Sequence, residues 1–211
     1  MLSIKRWLFK KLYPQEWSAF NWEIDKELDL KEVTFVVFDT ETTGLDLSED
    51  EPIALGALKI RDFKIELRSK FYELIKPSKA LRSSIKVHGI TPSDLEKARS
   101  KREVLHDFVS YAKGSILCGF FVYIDFTMLY KIFKEEYKVP FCPPIVDIHY
   151  LLEDSNRSSN LEALVKRFGL PCSIHHNALE DAYMSALLFL KLLREGGFRK
   201  VKDLPLYKGI F

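Results

Sequence analysis

The sequence predicts a mixed α/β fold, and three observations predict it. Three strand-like runs of β-branched and aromatic residues come first, helical and strand-like segments then alternate, and the composition suits a globular core. Over 211 residues, 47% are hydrophobic and 29% charged, enough apolar material for one domain with an appendage.

The elements follow in chain order. Residues 1–32 hold all three tryptophans, Trp7, Trp17 and Trp22, together with Phe9, Tyr13 and Phe20, and the first thirteen residues carry four positive charges and no negative one. This stretch reads as an N-terminal appendage packed through aromatic side chains, with a basic end, ahead of a main domain at 33–211. Covering the sheet suits its aromatic content, and binding a nucleic acid or a partner is the other reading. Thr34 to Phe38 is a short apolar run suited to a buried strand, and Ile53–Ile60 and Ile65–Ile75 follow as two more strands of a meander. Thr91-Pro92 opens a helical region with Leu105, Phe108, Val109 and Ala112 on one face. Ser115–Phe121 reads as another buried strand, and 125–137 as a helix. Ser159-Asn-Leu-Glu162 matches a capping box for a helix ending near Gly169; Asn177-Ala-Leu-Glu180 opens the longest helix, reaching about Arg194.

Several classes are excluded by what the chain contains. The longest uncharged run, Gly114–Ile124, is far shorter than the ~18–20 residues of a membrane span. Lys10 and Lys11 interrupt any signal-like apolar stretch. Cys118, Cys142 and Cys172 are odd in number and lack metal-ligand spacing, which predicts reduced core thiols and a cytoplasmic location. One Gln and four Asn against 62 charged residues fit a thermophilic source.

Chemistry concentrates in three places. In Phe38-Asp-Thr-Glu-Thr-Thr-Gly-Leu45, residues two apart share a face, so Asp39 and Glu41 project side by side at a strand end. Two carboxylates ~4 Å apart repel by roughly 4 kcal/mol at an effective dielectric of 20, so a proton or a hard divalent cation must offset them. Taken alone, a D-x-E reads first as a strand end entering solvent; the Thr-Thr-Gly-Leu turn that follows it here shifts the reading toward a site. In His175-His-Asn-Ala-Leu-Glu-Asp181, Asp181 falls in the early turns of a helix, where the helix dipole alone favours it. His176 lies just outside that helix, where an imidazole could take a proton from metal-bound water. Asp125 follows a strand-like run, a place where Asp often serves only as a helix cap.

Together, D-x-E-T-T-G-L, an Asp after a strand, and H-x-A-x-x-D on a late helix resemble the DEDDh branch of the DEDD 3′–5′ exonucleases, over residues 33–195. Val87-His-Gly-Ile-Thr91 looks like the family's HGIT segment, and Ile145-Val-Asp147 like the segment ahead of its capped helix. The resemblance implies an RNase H-like mixed sheet flanked by helices. It implies two divalent cations, Mg²⁺ or Mn²⁺, held by Asp39, Glu41, Asp125 and Asp181, with Asp39 bridging both and His176 as general base. Thr42, Gly44 and Leu45 would meet substrate, Leu45 against the terminal bases. The implied reaction is hydrolysis of terminal phosphodiesters of single-stranded DNA, in proofreading or repair, releasing nucleoside 5′-monophosphates. RNA trimming and a non-catalytic nucleic-acid or polymerase-binding module are the alternatives, and a DNA polymerase is a candidate partner.

One departure stands out. Where the family often reads H-N-x-x-F-D, this chain reads Phe120-Phe-Val-Tyr-Ile-Asp125, so Phe121 replaces a polar residue near the substrate. Six acids and no base lie between Asp39 and Glu51, so cations must come from elsewhere. Candidates are Lys76, Lys79, Arg82 and Lys86; Lys97, Arg99, Lys101 and Arg102; and the tail from Lys191 to Lys208, although a solvated face is the first reading of any single cluster.

Overall fold

Residue parity along one strand organises the layers. The computed structural model describes residues 2–78, 88–137, 139–153, 160–173 and 177–208. Strand β1 (Phe35–Thr42) sits inside a six-stranded sheet with β2 (Pro52–Arg61), β3 (Lys64–Leu74), β4 (Ile116–Gly119), β5 (Pro144–Asp147) and β6 (Tyr207–Lys208), in the order β3-β2-β1-β4-β5-β6. β1, β2 and β3 form the expected antiparallel meander, β4 and β5 run parallel to β1, and β6 returns antiparallel. The helices are α1 (Leu2–Leu12), α2 (Pro14–Phe20), α3 (Pro92–Glu96), α4 (Lys101–Ala112), α5 (Val122–Glu136), α6 (Leu161–Arg167) and α7 (Ala178–Gly196).

Successive strand side chains point to opposite faces. Phe35 and Val37 pack with Cys118, Val146 and the α7 residues Ala186, Phe189 and Leu193. Val36 and Phe38 pack on the other face with Leu117, Ile145, Phe108 of α4 and Phe126 of α5. β1 is thus covered on both sides, which is why it reads as an unbroken apolar run. Phe35 meets Phe189 edge-on at 5.1 Å and Phe38 meets Phe108 at 5.4 Å. Burying each such ring contributes about 1.5–3 kcal/mol.

Local chemistry sets the helix ends. Thr91 and Ser100 close capping boxes with Asp94 and Glu103, and Pro92 occupies the first turn of α3. Asn160, not Ser159, caps α6, by accepting from the Ala163 amide; Ser159 lies outside the described residues. Asn177 caps α7 through the Leu179 amide, and Gly197 ends that helix at φ +68°, a left-handed stop that glycine adopts without strain.

Three further sequence expectations are corrected where β4 passes into α5. β4 stops at Gly119, so Phe120 and Phe121 form the turn rather than a strand end, and α5 begins at Val122 instead of 125. Asp125 is therefore not a cap; it lies one turn inside α5, behind Phe121 in the capping position.

In the N-terminal stretch, Phe9, Tyr13, Phe20 and Trp22 pack against the α4–α5 face of the core, and the Ser18 carbonyl accepts from Lys113; Phe20 shows the closest ring contacts. Its ring lies 5.1 Å from Phe133 and 4.5 Å from Tyr137. The buried Asn21 donates to the Pro140 carbonyl and accepts from the Cys142 amide, and the Trp22 indole donates to the Ser115 carbonyl. Trp7, by contrast, is 60% exposed, with the Lys11 ammonium 5.1 Å from its ring. No helix among the described residues is long and apolar enough to cross a membrane.

Candidate active site

The parity that layers the core also distributes the carboxylates. Asp39 and Glu41 continue the face of Phe35 and Val37, the face α7 covers, and there they meet Asp181: oxygens of Asp39, Glu41 and Asp181 all lie within 4.8 Å of one another. Asp181 is held in the first turn of α7, its amide donating to the Asn177 carbonyl at 2.9 Å. A close backbone approach makes this meeting possible. Gly56 of β2 pairs with Asp39, and a Cβ at Gly56 would stand 2.4 Å from the Ala178 carbonyl carbon and the Leu179 nitrogen. Glycine here lets the start of α7 press onto the sheet. On β3, opposite Gly56, the Tyr72 hydroxyl accepts from the Asn177 side chain at 3.3 Å and steadies the cap.

Asp125 arrives from the other layer. Thr40 continues the face of Val36 and Phe38 toward α5, and its amide and hydroxyl both donate to Asp125 Oδ1, at 2.9 and 2.5 Å. Asp125 stands outside the group of three but acts on it electrostatically. Burial, followed by the charges of Asp125, Asp181 and Glu41, pushes the Asp39 carboxyl well above the usual range. Burial pushes Asp125 up to about 7, against the two Thr40 hydrogen bonds that hold it down. A buried carboxyl whose pKa is raised by three neighbouring carboxylates suits a divalent cation, since hard oxygen donors are what Mg²⁺, Mn²⁺ and Ca²⁺ take.

The acidic loop after β1 is folded onto itself. The Thr43 amide donates to the Glu51 carbonyl, the Thr43 hydroxyl to Asp50 Oδ1, and the Thr42 hydroxyl to the Gly44 carbonyl. A Cβ on Gly44 would strike the Asp50 carboxylate at 2.4 Å. From α5, the Lys131 ammonium donates to the carbonyls of Leu47, Ser48 and Asp50 at 3.0–3.1 Å, fixing the loop from beneath. Leu45 is left 84% exposed, an apolar side chain that the acidic loop presents to solvent.

The turn between β4 and α5 carries the departure from the family pattern. Phe121 caps α5 with φ +52° and ψ +37°, a left-handed conformation that a bulky residue adopts at a cost of about 1–3 kcal/mol. Asn tolerates this conformation well, which gives the family's residue here a backbone reason as well as a polar one. The Phe121 amide donates to Asp147 Oδ1 at 3.1 Å, and the same oxygen accepts from the His149 amide.

His176 and its neighbour His175 lie outside the described residues, as do Lys79, Arg82, Lys86 and Val87 of the expected cationic and HGIT segments. Several other candidate cations are engaged with protein carboxylates: Arg99 with Glu73 and Asp107, Lys101 with Glu51, Arg102 with Glu136, and Lys200 and Lys202 with Glu27. Sequence reasoning missed Gly56, Tyr72 and Lys131. Only Gly56 left a signal, a glycine inside an otherwise apolar strand.

Comparison with known proteins agrees with this geometry. A family model described as "Exonuclease" matches residues 36–189. The chain is 36% identical over 177 residues to the PolC-type DNA polymerase III of Thermotoga petrophila, covering 81% of this chain and 13% of that protein. It is 30% identical over 178 residues to the PolC-type DNA polymerase III of Bacillus subtilis, covering 82% of this chain and 12% of that one. The chain thus spans about an eighth of the length of these relatives. Among solved structures, E. coli Exonuclease I in complex with a dT13 oligonucleotide superposes with a TM-score of 0.66 at 19% identity, over 76% of this chain and 41% of that one. Cell-death related nuclease 4 superposes with a TM-score of 0.68 at 15% identity, over 79% of this chain and 65% of that one. At these identities the structures speak for the fold alone, and the family model and the relatives carry the assignment: the chain belongs to the exonuclease family.

Proposed function

We propose that the chain is a metal-dependent 3′–5′ exonuclease that removes terminal nucleotides from single-stranded DNA, in proofreading or repair, and releases nucleoside 5′-monophosphates. The observation that carries this reading is the convergence of Asp39, Glu41 and Asp181 within 4.8 Å, with Asp125 reaching the same strand through Thr40. Residues 33–211 are read as the exonuclease domain and residues 1–32 as its appendage. The PolC-type relatives favour DNA over RNA and a DNA polymerase as partner.

In this reading Asp39, Glu41, Asp125 and Asp181 would hold two divalent cations, Mg²⁺ or Mn²⁺. When bound, such ions stabilise charge on the scissile phosphate and leaving oxygen and lower the pKa of water. The carboxylates must be deprotonated to hold them, so Thr40 contributes by drawing the Asp125 pKa down against burial. His176 takes the proton from the attacking water, and Leu45 lies against the terminal base, with Thr42 and Gly44 shaping the loop that presents it.

The test is digestion of 3′-labelled and 5′-labelled single-stranded DNA and RNA with Mg²⁺ or Mn²⁺, against EDTA. Stepwise, metal-dependent loss of mononucleotides from the 3′ end of DNA is the expected result. Faster loss from RNA would reassign the substrate, and cleavage of neither strand under any metal would leave a non-catalytic binding module.

A further inference from the structure

At the C-terminal ends of β4 and β5, next to the end of β1 that carries Asp39, the chain presents aromatic rings that are not part of the buried core. β1, β4 and β5 run parallel, with Val37 opposite Cys118 and Gly119 opposite Asp147, so Asp39, the Phe120-Phe121 turn and the Ile148–Leu151 turn lie side by side at one end of neighbouring strands. Phe121 lies over His149 with ring centroids 4.4 Å apart and planes 32° apart, and the Tyr150 ring follows at 5.6 Å from His149. Phe121 is 40% exposed and Tyr150 59%. Tyr123, one turn before Thr127 on the same helix start, is also exposed.

Two facts argue that this surface is more than a lid on the core. A ring recruited for packing would be buried, as Phe126 and Phe133 on the same helix are. And Phe121 is held in a left-handed conformation that Asn or Gly would adopt more easily, so the ring is retained against a local preference. Exposed rings at this end of the sheet, Phe121 tilted over His149 and Tyr150 edge-on to it, with Phe121 four residues before Asp125 on one helix start, suit the π-face of a nucleobase. Such stacking is tolerant of base identity, because every base has a π-face.

We infer that Phe121, His149 and Tyr150 form a stacking platform for a base upstream of the scissile phosphate, replacing polar recognition by sequence-tolerant grip on single strands. This rests on the exonuclease reading of the neighbouring site. The occupant is an unpaired base of single-stranded DNA, since a paired base offers its face only to its stacked neighbours.

The experiment is a cycle between protein and ligand. Binding of 5′-fluorescein oligo-dT with phosphorothioate 3′ linkages is measured by anisotropy in Mg²⁺, with an abasic nucleotide placed second, third or fourth from the 3′ end. For the native protein, the abasic substitution at one of these positions should weaken binding about 5- to 150-fold, the span expected for one lost stack. In Phe121→Ala the same substitution should cost less than about twofold. Phe121→Asn removes the ring while suiting the left-handed turn, so it should lose the abasic penalty with a melting temperature no lower than native. Tyr150→Ala should reduce the penalty by less. An undiminished penalty in both Phe121 variants, or none in the native protein at any position, overturns the platform. Mononucleotide release from ordinary oligo-dT, followed in parallel with Mg²⁺ against EDTA, separates the two readings: release without an abasic penalty removes the platform alone, and a penalty without release removes the exonuclease reading alone.

Discussion

The two helical layers reach the same strand by opposite means. α7 comes in backbone first: its opening residues touch β2 where Gly56 leaves no side chain, and Asp181 follows because the main chain is already placed. α5 comes in side chain first: Asp125 extends to Thr40 through two hydrogen bonds, from a helix whose cap is a strained Phe121. Main-chain contact leaves no slack, so the α7 side should tolerate almost no added atom. The α5 side is joined by adjustable contacts, and it is there that the chain departs from the family's H-N-x-x-F-D pattern.

The largest break is at the point both layers share. Asp39→Ala removes the carboxylate that meets both Glu41 and Asp181 and should abolish measurable nucleotide release, a loss beyond the ~10²–10⁴-fold typical of a general base. Folding should survive, because the burial-raised pKa marks Asp39 as a strained charge in the metal-free protein. A variant that still turned over at more than about a hundredth of the native rate would remove Asp39 from the metal site. Next comes His176→Ala, expected to cost ~10²–10⁴-fold in turnover with little change in DNA binding. Native turnover in that variant would pass the role of base to another group, with the adjacent His175 first to be tried.

Gly56→Ala tests the α7 side directly. The added methyl has to displace the Ala178–Leu179 backbone, since it would stand 2.4 Å from both residues. Overpacking of this kind costs about 1–3 kcal/mol of stability. A shift of the order of 1 Å in Asp181 would cost about 10²-fold in rate. Melting temperature and turnover are measured together. A stable and fully active variant would mean that α7 is placed by its apolar face alone.

The contrast between the layers also explains what the sequence could tell. The α7 side was legible because its signals are local: D-x-E two apart on a strand, an Asn cap, and an Asp four residues into the helix. Even there, a glycine at 56 hints at a close backbone approach but not at what approaches, because which strand a helix N-terminus strikes is a property of topology. The α5 side read less well. Phe120 and Phe121 have strong strand propensity, and the turn at Gly119 overrides it, because the chain must leave the sheet where Asp147 accepts the Phe121 amide. That override moved the helix start three residues toward the N-terminus and made Asp125 an interior residue instead of a cap. Lys131 gave no signal at all: one lysine among 32 basic residues, its role set by three carbonyls far away in sequence.

The smallest expected effect lies on the α5 side, where Thr40→Val removes one of the two bonds to Asp125 and keeps the amide. Burial raises the Asp125 carboxyl to about 7 and the Thr40 bonds oppose it, so losing the hydroxyl raises it further. A protonated carboxyl does not hold a divalent cation, so the half-saturating Mg²⁺ concentration should rise roughly tenfold, in line with a hydrogen bond to a charged group. The loss should be greatest near pH 6.5 and fade by pH 8.5, where both proteins are ionised. Stability in EDTA moves in the matching direction. A carboxyl whose folded pKa exceeds its unfolded value stabilises below the unfolded value, and that contribution is lost as pH rises through the folded one. Metal-free melting should therefore fall between about pH 4 and 7 in the native protein, and the fall should extend to higher pH in Thr40→Val. Mg²⁺ should restore more stability the higher the pH. An activity loss equal at both pH values would instead assign Thr40 a purely geometric role, and with it make the α5 side as rigid as the α7 side.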